Sequence, residues 1–116
     1  MDIDQIIALI QQGESQHLEF KKSTTQLKPG FETVCAFLNG EGGTVLIGVT
    51  NNGQVLGQDV SDNTRQEIAR EISKIEPPVQ PIISYVPTGT GKFVIAIEAR
   101  AGRHAPYVYQ STACSS

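Results

Sequence analysis

Two glutamates five residues apart, Glu14 and Glu19, are followed at once by Phe20 and the lysine pair Lys21 and Lys22. Paired carboxylates can hold Mg²⁺ or Mn²⁺, and a lysine beside them can steady the charge of a phosphodiester. Alternation puts Glu19 and Lys21 on one face of a short strand over 17–22, with Leu18 and Phe20 on the other. A plain solvated strand face has the same pattern, and its neighbouring ion pair contributes little to stability. Glu14 sits at a helix-to-strand junction and meets Glu19 only if the intervening turn folds back. On spacing alone both readings stand.

Other stretches offer less. NGEGGTVLIGV (39–49) sets two glycines before an apolar run, a tight turn whose amides could also receive a phosphate. It lacks the lysine and hydroxyl residue of a phosphate loop and is not GxGxxG. GTGK (89–92) lies between two strands, so no helix N-terminus follows it, and it reads as a hairpin turn. His17 and His104 have no partner at metal spacing and read as exposed, His17 with at most a minor part beside Glu14 and Glu19. Cys35 falls on an apolar helical stripe and Cys114 in a polar tail, so neither a bridge nor a metal site is expected.

These elements belong to a chain of 116 residues, 39% hydrophobic, enough for one domain with a modest core. No apolar run reaches membrane-spanning length, the N-terminus lacks a signal pattern, and the cysteine usage predicts a reducing cytoplasm. Nine Lys and Arg against twelve Asp and Glu give a net charge of −3, which argues against a simple electrostatic binder of nucleic acid. Local clustering matters more than the sum. Lys21, Lys22 and Lys28 form one basic group, and Arg100, Arg103 and His104 a second.

Ile3, Ile6, Ile7 and Ile10 mark one face of a helix over 2–12, with Asp2 and Gln5 as a capping box and Gly13 as its stop. Pro29 starts a second helix, with Phe31, Val34, Cys35 and Leu38 buried and Asn39-Gly40 ending it. TVLIGV (44–49) reads as a central strand covered on both faces, with QVLG as its hairpin partner across the NNG turn (51–53). A third helix is expected at about 64–75, capped by Thr64 and Glu67, with Ile68, Ile72 and Ile75 inward and Pro77-Pro78 beyond. Residues 82–86 and 92–99 form a further hairpin, and YVYQ adds an edge strand. The expected order is α-β-α-β-β-α-β-β, an α+β (mixed α/β) domain on a single mixed sheet. It occupies residues 1–110, and 111–116 form a tail or the start of a linker, as in a piece cut from a longer protein.

Read in order, the motifs resemble the Schlafen AlbA-like domain, formerly called a divergent AAA domain. Its pattern is E-x4-E-F-K, then A-F-x-N-x-x-G-G-x-[LI]-x-[LI]-G-V, a hairpin ending in glycine, and a terminal P-x-Y. Here these are Glu14, Glu19-Phe20-Lys21, Ala36-Phe37, Asn39, Gly42-Gly43, Leu46, Gly48-Val49, Gly57 and, with Tyr107 directly after the proline, Pro106-Tyr107. The resemblance covers about residues 5–109. It implies a DNA-binding domain at the head of regulator-like or helicase-related proteins, or the RNA-cutting activity of animal Schlafens, which uses three carboxylates and a metal. Glu14 and Glu19 match the first two. The third belongs in the hairpin after the central strand, where this chain has Thr50-Asn51-Asn52-Gly53. Asn offers a carbonyl but no negative charge, and the nearest acid is Asp59.

The resemblance therefore favours a cytoplasmic nucleic-acid-binding regulatory module over an enzyme. Lys21, Lys22, Lys28, Arg100, Arg103 and His104 are expected on phosphates of DNA or RNA, with Tyr107 or Tyr109 stacking on a base. No cofactor is expected. The rivals are a metal-dependent endoribonuclease using Glu14, Glu19, Lys21 and Mg²⁺ or Mn²⁺, and an ATP-binding or oligomerisation module.

Overall fold

A computed structural model describes residues 1–109. Helix α1 (Ile3–Gln12) starts at the expected capping box, where Asp2 and Gln5 bond each other's backbone N–H. It stops at Gly13, whose φ of 76° suits glycine. Ile6 is fully buried and Ile3 and Ile10 pack beside it. Ile7 departs from the expected stripe and is 43% exposed.

Strand β1 (Leu18–Lys21) leads through a 3₁₀ turn (Thr24–Gln26) into helix α2 (Leu27–Asn39). The helix begins two residues before Pro29. Proline is tolerated there because the first turn's N–H groups have no intrahelical acceptor. Strand β2 (Gly42–Ile47) then runs parallel to β1, completing a β-α-β unit. Helix α3 (Asp62–Ser73) precedes β3 (Ile75–Glu76), β4 (Ile82–Pro87), β5 (Phe93–Arg100) and β6 (Val108–Tyr109). The main sheet has the order β1-β2-β5-β4, and β3 with β6 makes a second, two-stranded sheet. The fold is α+β.

Alternation along β2 and β5 divides the core between the two sheet faces. Val45, Ile47, Ile95 and Ile97 meet Phe31, Val34 and Leu38 of α2 and Ile68 of α3. Leu46, Val94 and Ala96, with Leu18 and Phe20, meet Ile6 of α1. TVLIGV is thus covered on both faces, as expected.

Its pairing differs from expectation. Both edges of β2 are taken, by β1 and by β5, so no edge remains for QVLG. Residues 54–57 reach the strand only past its end, through one Val49–Val55 bridge and the N–H groups of Leu56 and Gly57 on Gly48 O. Helix α3 is capped by Ser61 with Thr64 as the reciprocal partner, one turn before the expected Thr64 and Glu67 pair. Ile75 leaves the helix for β3 and is buried there. The 82–99 hairpin forms as expected, closed by Thr88 N–H on Lys92 O. Tyr109 and Val108 pair with Ile75 and Glu76 instead of extending the main sheet, so the single expected sheet becomes two. Gln110 and the tail with Cys114 lie outside the described residues.

Gly53 closes the 50–53 turn at φ 85°, and a β-carbon there would stand 2.9 Å from Ile10 Cγ2. Gly53→Val should therefore cost about 1–3 kcal/mol through strain and displacement of α1. Urea unfolding checks this, and an unchanged midpoint would contradict the assignment.

Candidate nucleic-acid interface

Strand β1 is an outer strand of the main sheet, so the N–H of Phe20 points off its free side. Glu14 folds back across the turn and accepts that N–H on Oε2 at 3.1 Å. Its carboxylate thus terminates an open strand edge. Glu19 instead faces Lys21, with Nζ 3.4 Å from Oε1. The Lys21 stem runs alongside Gly30 of α2, and its side chain is only 16% exposed. Lys21 is a covered strand-face residue held by Glu19, poorly placed to grip a phosphate.

The donor set does not fit a resident metal. Among the described residues no three His, Cys, Asp or Glu side chains stand together as ligands. Asn51 and Asn52 lie instead by Lys22, Gln26 and Gln54 around a shallow cavity of about 340 Å³. His17 is exposed at the start of β1, its Nδ1 3.1 Å from Gly42 O. His104 is exposed too.

The two basic groups lie apart. Lys21 pairs with Ile47 and Arg100 with Gly42, five positions away along β2, or about 16 Å. Lys28, at the start of α2, joins Arg70 of α3 and Lys74 just after its end around a groove of about 250 Å³ that Thr24, Thr25, Glu67 and Glu71 also line. Sequence reading missed Arg70 and Lys74, although their i, i+4 spacing places them on one helix face. Arg100 and Arg103 border a larger cavity of about 540 Å³ at the other end of α2.

Neither tyrosine is a free stacking surface. Tyr107 is 6% exposed, its ring packed under Gly102 and its hydroxyl accepting the His104 N–H. So little of Tyr107 is exposed that it offers only a small surface for the expected stacking. Tyr109 lies 6.2 Å from Phe31, centroid to centroid, and donates a hydrogen bond to Glu71. Burial pushes the Glu71 carboxyl up, but the bonds from Tyr109 and Lys74 and the charges of Lys74 and Arg70 outweigh it. The group sits below its ordinary 4.5.

The family model described as Schlafen, AlbA_2 matches residues 14–115. The chain belongs to this family. Among solved structures, this AlbA_2 domain is similar to the N-terminal domain of a protein from Nitrosomonas europaea described as related to the ATP-dependent DNA helicase RecG. That likeness has a TM-score of 0.72 at 20% identity and covers 97% of this chain and 82% of the other. A second likeness is to the DIP2311 protein of Corynebacterium diphtheriae, with TM-score 0.53 and 19% identity over 88% of this chain and 26% of that one. At such identities both show the fold alone. No curated protein matches. No helix among the described residues is long and apolar enough to cross a membrane.

Two outcomes follow from these contacts. Glu14→Ala should destabilise by about 1 kcal/mol, since it leaves the part-buried Phe20 N–H without its acceptor, whereas Glu14→Gln keeps an acceptor and loses less. Chemical unfolding of both variants distinguishes them, and equal losses would point to a role for the charge itself. The lowered Glu71 carboxyl gives stability that is full above the unfolded value and lost as pH falls through the folded one. Tyr109→Phe should cost about 1 kcal/mol near neutrality and flatten the stability loss as pH falls below the ordinary carboxylate value. An unchanged acid limb would show that the bond does not hold Glu71 down.

Proposed function

We propose that this domain binds nucleic acid through the phosphate backbone, as a non-catalytic regulatory module of a longer protein. One observation carries the reading. Of nine Lys and Arg side chains, five line two grooves: Lys28, Arg70 and Lys74 with the acids Glu67 and Glu71 at the start of α2, and Arg100 and Arg103 with Glu98 at its end, so cations outnumber acids in each. Helix α2 has 13 residues, so the grooves lie about 20 Å apart, the axial length of about six nucleotide steps. A backbone laid along the helix would meet positive charge at both ends.

Family membership supports a nucleic-acid role, as does the fold shared with the domain of a helicase-related protein. The side-chain partners support binding over cleavage, because Glu14 is engaged by a backbone N–H and Glu19 by Lys21. Lys22 remains exposed beside a separate cavity, with Asn51 and Asn52. The compartment expected from cysteine usage accords with this reading.

Fluorescence anisotropy with labelled DNA and RNA should show binding that weakens with salt, with a log–log slope of roughly −2 to −4.5. Replacing Lys28 and Arg70 by alanine should flatten that slope by about 1.5, and replacing Arg100 and Arg103 should do the same. Absence of binding to single- and double-stranded DNA and RNA at low salt would overturn the proposal.

A further inference from the structure

The cavity at the start of β4 has a composition unlike that of the α2–α3 groove. Its lining is largely apolar, from Leu38, Val79, Ala99 and Tyr107 on the α2 side of the sheet and from Pro81 and Ile82 at the free edge of β4, where Ile82 and Glu98 bring in the other face. Ile82 is 46% exposed, a large apolar side chain that water still reaches. At about 540 Å³ the space lies within the range of pockets that take small organic ligands. Such a cavity suits a flat apolar face better than a phosphate.

Its charges are sorted. Arg100 and Arg103 border it, and neither forms an ion pair among the described residues. Glu98 also lines it and stands opposite Ile82 in the β4–β5 pairing. A carboxylate repels phosphate but accepts hydrogen bonds from the amino group of a base. Strand β4 is also the outer strand of the main sheet, and no described residue pairs with its free side, so backbone donors and acceptors stand along one wall.

We propose that this cavity receives one unstacked nucleobase of a single-stranded nucleic acid, with Ile82 against its face, Glu98 on an amino group, and Arg100 and Arg103 on the flanking phosphates. This rests on the nucleic-acid reading above and deepens it. The α2–α3 groove, where Lys28, Arg70 and Lys74 stand among Thr24, Thr25, Glu67 and Glu71, supplies backbone attraction of either strand type. The cavity makes the domain prefer single strands, because a paired base cannot leave its stack without an unpairing cost. DNA and RNA share this chemistry, so both belong in the test.

The ¹⁵N-labelled full chain is titrated with a short oligocytidine in deoxy and ribo forms, with its deoxy counterpart carrying one abasic position, and with a hairpin duplex. Anisotropy on the same ligands gives affinities. The intact strand should bind on the order of tenfold more tightly than the abasic one, from loss of base contacts. Amide shifts should centre on Ile82, Ala99, Gly102 and Arg103. Ile82→Ser, at a site too exposed to unsettle the core, should remove the difference between intact and abasic strands. Equal affinity of the two strands, shifts confined to Thr24–Lys28, or tighter binding of the duplex would each overturn the cavity proposal and leave backbone binding standing. If no ligand binds, the nucleic-acid reading falls and this proposal with it.

Discussion

The Asn39 carboxamide meets the Tyr107 peptide twice: Oδ1 accepts the Tyr107 N–H at 2.6 Å, and Nδ2 donates to the Tyr107 carbonyl at 2.9 Å. A side chain thus pairs with backbone much as a neighbouring strand would, across 68 residues of sequence. Cys35 adds its thiol to the same carbonyl, and Gly102 N–H bonds Leu38 O nearby. The end of α2 thereby holds the segment after β5 against itself. Aspartate at 39 would keep the acceptor and lose the donor. The Tyr107 ring then fits under Gly102, where a β-carbon would lie 2.1 Å from it. The arginine-bearing turn and the cavity beside it follow from this clamp.

The clamp also decides where the chain goes next. From Tyr107 it enters β6, pairs with β3 and brings Tyr109 to Phe31 and Glu71. That fixes the last turn of α3. Its first turn is held by Arg65, whose guanidinium stacks over the Tyr85 ring at 4.2 Å, an interaction worth about 0.5–1 kcal/mol at a partly exposed site. Burial raises the Tyr85 hydroxyl above its ordinary value, and the Arg65 charge opposes that rise. With both ends of α3 anchored, Arg70 and Lys74 keep their place opposite Lys28. The two grooves therefore share a mechanical origin at the end of α2.

Sequence pattern disclosed what depends on neighbours in the chain. The Asp2 and Gln5 cap, the Gly13 stop, the 82–99 hairpin and the doubly covered TVLIGV strand all rest on local periodicity or turn chemistry. Strand order is a different kind of information. QVLG looked like a hairpin partner because the NNG turn invites one, yet β1 and β5 arrive from 18–21 and 93–100 and occupy both edges of β2. Glu14 bonds Phe20 because β1 ends up outermost, which no spacing between residues 14 and 20 reveals. The α3 cap expected at Thr64 falls three residues earlier, at Ser61, with Thr64 as its reciprocal partner. For the site, residue types indicated positive charge but not its grouping. Lys28 is grouped with Arg70 and Lys74, and Tyr107, expected as a stacking aromatic, is largely buried by its clamp to Asn39.

A net charge of −3 is a poor guide to what this surface attracts, because many of the acids have local duties. Asp2 and Asp4 lie at the start of α1 and Asp62 at the start of α3, where they offset helix dipoles. Glu14 takes a backbone N–H, Glu19 holds Lys21, and Glu71 holds Lys74 and Tyr109. Screening at physiological salt confines each charge to about 8 Å, well short of the length of α2. A phosphate approaching either groove is therefore governed by the few groups around it. Within the first groove Glu71 is balanced by Lys74, and Glu67, which accepts from Asn63 Nδ2, is set against Lys28 and Arg70, neither of which makes an ion pair among the described residues. The sign of the local field is set by which acids are already engaged, and the clamp at Asn39, through Tyr109, engages the most consequential of them.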